Sequence, residues 1–182
     1  MDDYYEFAAF AGLRVSEQIA LLWADVDLRT SCVVIRRTRV MAQDKARTKT
    51  TVERTVELND RAAAVIQRQR ARTQAAGGHV FVSTNTGKPW HDEQTQRKEW
   101  ATTMRRTQIR HRPPKELRDS SVTFALSAGA DPWYVARQHG HSLTVMVKDY
   151  AKWIPNADRG RNRAAINSAI GGSTQKEGTN EN

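Results

Sequence analysis

Cysteine is almost missing from this sequence: Cys32 is the single one. One thiol supports neither an internal disulfide nor a cysteine-based metal site, and such usage fits a reducing cytoplasm. Cys32 itself reads as a small strand residue of the core. Long apolar runs are missing too. No stretch approaches the roughly 20 apolar residues of a membrane span, and the acidic start, Met1 to Glu6, lacks the basic and apolar segments of a signal peptide. Carboxylates and histidines do not cluster at metal-ligand spacing, and no internal repeat is found. The resulting expectation is a cytoplasmic protein with no membrane partner and no metal or other cofactor.

What is abundant is positive charge. The 182 residues carry 29 Lys and Arg against 20 Asp and Glu, a formal net charge of +9. That balance favours a polyanionic partner, with nucleic acid ahead of an anionic membrane surface. The length suits one domain with a proper core.

Read along the chain, Tyr4 to Ala11 is the end of a buried helix, interrupted at Gly12. Ser16 is placed to cap a second helix, Glu17 to Trp23. Ser31 to Val40 alternates and is rich in Val, Ile and Thr, the pattern of a strand; Arg54 to Leu58 is a second strand and His79 to Val82 a possible third. The polar stretch Met41 to Glu53 suits a β-hairpin loop. Asp60 can cap a helix running to Ala75, ended by Gly77 and Gly78. A long helix follows from His91 to Arg110, stopped by Pro113 and Pro114. Then come Glu116 to Ala128, Pro132 to His139 and Leu143 to Tyr150, and a last helix from Asn156 to Ile170. The fold class is mainly α with a small antiparallel β-sheet (α+β). Residues 1–170 form the domain, and the Gly, Ser, Thr, Asn and Glu of 171–182 read as a disordered tail. Trp23, Trp133 and Trp153 read as core packing.

The basic residues are grouped. Between Arg36 and Arg54 lie Arg36, Arg37, Arg39, Lys45, Arg47, Lys49 and Arg54 against two acidic residues; between Arg105 and Arg118 lie Arg105, Arg106, Arg110, Arg112, Lys115 and Arg118 with His111, against Glu116 alone. Any one of these could be a solvated surface cation. Taken together, they read as a surface that tracks DNA phosphates, giving affinity rather than sequence choice. Exchange of phosphodiester bonds needs few further parts: a nucleophile, cations on the nonbridging oxygens and an acid for the leaving oxygen. Arginine suits the clamp because its planar fork meets two oxygens.

Two groups of motifs carry a resemblance. Ala11-Gly12-Leu13-Arg14-Val15-Ser16-Glu17, with Leu22 to Asp27 after it, resembles the first arginine box of tyrosine recombinases. Leu126 to Gln138, Gly140-His141 and Tyr150-Ala151-Lys152-Trp153-Ile154-Pro155 resemble the second box of phage integrases, and the likeness runs in family order from about Tyr5 to Pro155. The resemblance implies a tyrosine-recombinase catalytic domain that cuts and rejoins double-stranded DNA through a 3′-phosphotyrosyl link. It further implies that Arg14 and Arg118 grip the scissile phosphate and that Lys49 protonates the departing 5′ oxygen. His141 would hydrogen-bond the phosphate, and Tyr150 would be the nucleophile. Neither ATP nor a metal is implied, because the ester to the protein conserves the energy of the bond. Other protomers on the same DNA are expected partners, reached by exchange of the last helix with its Arg159, Arg161 and Arg163.

Two positions depart from the family pattern. Lys115 stands where histidine is frequent; a lysine there can hold a phosphate but is a poor base for Tyr150 unless desolvated. Asp119 stands where histidine often follows the second arginine, and is expected either to orient Arg118 or to repel DNA. No segment before Tyr4 reads as the core-binding domain that integrases carry, so an N-terminally truncated catalytic domain is expected. Two other readings stay open: a helix-turn-helix DNA-binding protein built on Asp131 to Tyr150, and a catalytically impaired integrase remnant that still binds DNA. The plainer readings are Arg14 as a partner of Glu17, Lys49 as a solvated loop lysine, and Tyr150 as a core aromatic.

Overall fold

The computed structural model describes residues 2–46, 53–108, 110–154 and 160–171. Helix α1 (Asp2–Ala11) leads through Gly12 into α2 (Val15–Gln18) and a 3-10 turn, Trp23–Asp25. Strands β1 (Val26–Asp27) and β2 (Cys32–Ile35) follow, then β3 (Arg37–Val40), β4 (Gln43–Ala46) and β5 (Arg54–Glu57). Helix α3 (Asp60–Gln69) continues into a π-helical turn, Arg70–Gln74. After it come α4 (Glu93–Arg106), α5 (Lys115–Ser127), α6 (Pro132–His139), α7 (Leu143–Tyr150), a 3-10 turn Ala151–Trp153, and α8 (Arg161–Gly171). The mainly helical class with small antiparallel sheets is as the sequence pattern implies. Among the described residues no helix is long and apolar enough to cross a membrane.

The expected strand over Ser31 to Val40 is two strands in two sheets. β2 sits between β1 and β5, antiparallel to both, with Val33 opposite Val56. β3 instead pairs with β4 in a hairpin of its own. Its two-residue turn, Met41–Ala42, has positive φ at both positions, a conformation usually signalled by Asn or Gly, so the polar stretch hid a strand. His79 to Val82 is not a strand: His79 makes one isolated bridge to Leu22, and the third strand of the sheet is β1. Arg47, Lys49 and the expected tail beyond Gly171 lie outside the described residues, as do Asn156 and Arg159.

Local chemistry sets the helix ends. Asn59, not Asp60, caps α3 by accepting from the Ala62 amide at 3.0 Å, and α3 buries Ala62, Val65, Ile66 and Gln69 on one stripe. Ser16 is not a cap. It lies inside α2, whose N-cap is Arg14, because Glu17 reaches back to the Arg14 amide at 3.1 Å. Asp131 caps α6 with Pro132 at its first turn, and Gly140 ends it in the left-handed region at φ 61°. Ser142 then caps α7.

The interior has two apolar centres. One gathers α1, α2, β2, β5 and α3 with Phe81 and Trp90; the other gathers Val122, Leu126, Val135, Ala136, Met146 and Tyr150 from α5, α6 and α7. Tyr150 is thus both a packed core residue and a candidate nucleophile. Trp133 and Trp153 are not core: they are 61% and 42% exposed, whereas Trp90 and Trp100 are buried. Trp23 packs at the edge of the first centre. Cys32 is half-buried on β2, short of the core position expected.

Gly12 lies where the two centres meet. Its φ is +62°, and a Cβ there would lie 2.4 Å from His139 Nε2 and 2.9 Å from Ser121 Oγ. Gly12→Ala is therefore expected to destabilise the protein by roughly 2–4 kcal/mol, from backbone strain plus overpacking, read as a lowered urea midpoint at unchanged slope.

Candidate active site

α5 carries an arginine on the stripe where it otherwise buries Ser121, Val122 and Leu126. Arg118 is 8% exposed. A buried guanidinium needs partners, and Arg118 finds two backbone carbonyls: Gly12 O at 2.6 Å and, more closely, His139 O. Burial, and next Arg14, push its pKa down to about 10, so it remains a cation at neutral pH. Arg14 donates to Glu17 Oε1 at 2.9 Å and to Gly140 O at 2.8 Å. Arg54 donates to both Glu17 oxygens, at 3.1 and 2.6 Å, and to Gln138 O at 3.1 Å. Three successive carbonyls at the C-terminal end of α6, those of Gln138, His139 and Gly140, therefore each accept from a different arginine. Helix ends expose such carbonyls at the negative end of the helix dipole. This end of α6 is what gathers the guanidiniums.

Glu17 is the counterweight. Burial alone would raise its pKa, but the hydrogen bonds and charges of Arg54 and Arg14 hold it down at about 2. His139 is buried, with its ring nitrogens on Val135 O at 2.9 Å and Ser121 Oγ at 3.1 Å; burial lowers its pKa to about 4. His141 is half-buried and likewise brought down to about 4, by burial and then by Arg118 and Arg14. Its ring lies nearly parallel to that of Tyr150, with centroids 5.8 Å apart and 16° between planes. Its buried Nδ1 has no hydrogen-bond partner among the described residues.

The Tyr150 hydroxyl donates to Asp119 Oδ1 at 2.9 Å. Burial raises the phenol pKa to about 12, with the hydrogen bond and charge of Asp119 adding to it. Asp119 was expected either to orient Arg118 or to repel DNA; carbonyls orient Arg118, and Asp119 engages the phenol. Arg14, Arg118, His141 and Tyr150 are thus brought together. Lys115 shares a cleft of about 220 Å³ with Arg14 and Arg118, exposed at the start of α5 and not on Tyr150. Lys49 lies outside the described residues.

The expected phosphate-tracking cations divide. Arg37 pairs with Asp25, and Arg39 turns inward to Asp44 at 2.7 Å and Trp90 O at 2.6 Å, so both hold the β3–β4 hairpin to the body. Arg36 is half-exposed, 3.6 Å from Glu53 and 3.9 Å from Asp25. Lys45, Arg105, Arg106, Arg110 and Arg112 are exposed, Arg112 lying 3.5 Å from Glu116. Sequence reasoning missed Arg54 as a site residue and took Glu17 only as a first-turn carboxylate and a partner for Arg14. A glutamate three residues after a cap position was a signal; nothing local marks Arg54, whose partner is 37 positions away.

Comparison with known proteins decides the family. The sequence profile described as the phage integrase family matches residues 3–155. The chain belongs to the phage integrase family. A curated relative, prophage integrase IntR of Escherichia coli (strain K12), is 30% identical over 174 residues, covering 82% of this chain and 42% of the relative. The chain thus spans less than half the length of that integrase. Among solved structures, the Tn1549 transposon integrase in complex with transposon right end DNA superposes with a TM-score of 0.69 at 16% identity, over 92% of this chain and 58% of that one. The catalytic domain of bacteriophage HP1 integrase superposes at 0.59 and 14% identity, over 96% of this chain and 84% of that one. XerA recombinase does so at 0.63 and 18%, over 97% and 63%. At these identities the likeness is one of fold.

The charged junction should show in acid. His139 and His141 are held neutral, so their contribution is full above about pH 6.5, the ordinary histidine value, and is lost as pH falls toward about 4. Glu17 follows, its contribution fading from about 4.3, the ordinary glutamate value, toward about 2. Urea midpoints measured across these pH values should fall in both windows, and Glu17→Gln should remove the lower one. Glu17→Ala, which strands the buried Arg54, should lower stability by roughly 3–5 kcal/mol at neutral pH.

Proposed function

We propose that this chain is the catalytic domain of a tyrosine-type site-specific DNA recombinase, breaking and rejoining double-stranded DNA through Tyr150. One observation carries the reading: the end of α6 assembles guanidiniums beside a single buried phenol, the arrangement a phosphoryl-transfer site needs.

In this reading, Arg14 and Arg118 keep part of each donor fork for the nonbridging oxygens of the scissile phosphate, since their other donors are spent on carbonyls and Glu17. Arg54, more buried than Arg14, holds Glu17, so that Arg14 is aimed rather than neutralised. His141 offers a ring nitrogen to a phosphate oxygen. Tyr150 attacks phosphorus and leaves a 3′-phosphotyrosyl ester, and Lys49 protonates the departing 5′ oxygen. A 5′ hydroxyl later attacks that ester and releases Tyr150, so no external energy source enters. Lys115 adds charge at the mouth of the cleft. Arg36, Lys45, Arg47, Arg105, Arg106, Arg110 and Arg112 follow the phosphates on either side.

The relatives support the biological setting. One is named a prophage integrase, and another was solved on a transposon end. Integration or excision of a mobile element, in the cytoplasm of a bacterial or phage-infected cell, is the role that follows. Helix α8 exposes Ile166 and Ile170, an apolar face suited to a neighbouring protomer on the same DNA. The helix-turn-helix reading fares worse: α6 and α7 are joined at Gly140, but the end of α6 is occupied by arginines and α7 buries Met146 and Tyr150.

Incubated with supercoiled plasmid and denatured in detergent, the protein should yield a covalent protein–DNA adduct. Tyr150→Phe should abolish it while leaving DNA retention in a gel intact, and Arg118→Ala should reduce it about 100- to 1,000-fold. An adduct that persists in Tyr150→Phe contradicts the assignment.

A further inference from the structure

Resting on the phosphotyrosyl reading, we propose that Asp119 is the catalytic proton acceptor for Tyr150, taking the phenolic proton onto Oδ1 as the phenolic oxygen attacks phosphorus. The geometry is already made, with hydroxyl and carboxylate 2.9 Å apart across α5 and α7, within the reach a general base requires. Asp119 directly follows Arg118 on α5, so the proton acceptor and the phosphate clamp are set by the same helical turn.

Elimination points the same way. The phenol holds its proton up to about pH 12, so at neutral pH the proton must leave during attack rather than before it. Arg118, Arg14 and Arg54 are donors only. The basic lone pair of neutral His141 lies in the plane of its ring, which stacks nearly parallel on Tyr150, so it does not face the hydroxyl. Both nitrogens of His139 are engaged. Asp149, the neighbour of Tyr150 on α7, is exposed. Asp119 is the group in contact.

The step balances. As the bond from phenolic oxygen to phosphorus forms, the bond from phosphorus to the 5′ oxygen breaks. The phenolic proton moves to Asp119, and the 5′ oxygen takes its proton from Lys49 in the reading above. In rejoining, the attacking 5′ hydroxyl gives its proton back to Lys49, and Asp119 returns its proton to the phenolic oxygen as the tyrosyl ester breaks. The transfer also answers an electrostatic objection: a carboxylate repels a phosphate, but Asp119 becomes neutral as negative charge builds on the phosphorus centre. The groups that feel its charge, His141 and Tyr150, are neutral, so Asp119 is the anion that this step discharges.

The experiment follows plasmid relaxation and detergent-stable adduct for wild type, Tyr150→Phe, Asp119→Asn and Asp119→His, with DNA retention and urea midpoints as controls. Asn keeps an oxygen for the phenol to donate to but has no basicity, so adduct formation should fall about 100- to 10,000-fold at unchanged DNA binding. Imidazole should restore part of it, with a new loss of rate below about pH 6.5. An Asn variant as fast as wild type, or faster, overturns the proposal and makes the contact a restraint on the nucleophile. Asn and His variants equally slow, with one shared pH profile, also overturn it and leave Asp119 a positioning residue. A wild type that forms no adduct while retaining DNA defeats the recombinase reading itself, a result distinct from either.

Discussion

The C-terminal end of α6 is the constraint on which the site depends. A helix that stops leaves carbonyls without partners, and here three of them are filled from outside by Arg54, Arg118 and Arg14. Those arginines come from a strand, from the buried stripe of α5, and from the cap of α2. Gly140 makes the arrangement possible: its left-handed backbone turns the chain sharply enough to leave the carbonyls open, and the Arg54 guanidinium lies 3.1 Å from where a Cβ would stand. Solving the helix-end problem and concentrating positive charge are one structural act.

The same junction divides the two apolar centres. Where packing would ordinarily be continuous, the molecule places Arg118, Glu17, His139 and Ser121, all buried. A buried ion network is weak support for stability, because desolvation offsets much of its Coulomb attraction. Its worth here lies in direction. Glu17 cannot leave without stranding Arg54, and Arg118 cannot swing without stranding two carbonyls. In the proposed reading the cations are held in advance of the phosphate, as a site must hold them to stabilise charge that develops only during reaction. Tyr150 joins this junction from the second centre, packed beside Met146 and Leu126.

The sequence made the fold class, the α5 to α7 boundaries and the arginine boxes legible because those signals are local. Asp131-Pro132, Ser142 and Pro114 stand at helix starts, and Gly140 ends a helix. What stayed hidden was non-local. Arg54 looked like one more phosphate-tracking cation at the start of a strand, yet its partners lie 37 and 84 positions away. Asp119 looked like a defect, because the phenol it accepts from is 31 positions on. The β3–β4 turn was missed because Met41 and Ala42 adopt positive φ without the residues that announce it. Trp133 and Trp153 misled because aromatic character carries no statement of which helix face it occupies.

The claim that the end of α6 presents a ready phosphate site can be tested directly by side-chain nuclear magnetic resonance, titrating isotope-labelled protein with inorganic phosphate. The guanidinium signals of Arg14 and Arg118 should shift together with the His141 ring, following a single binding curve. A response confined to exposed Arg105, Arg106 and Arg112, with the α6 arginines unmoved, would contradict it.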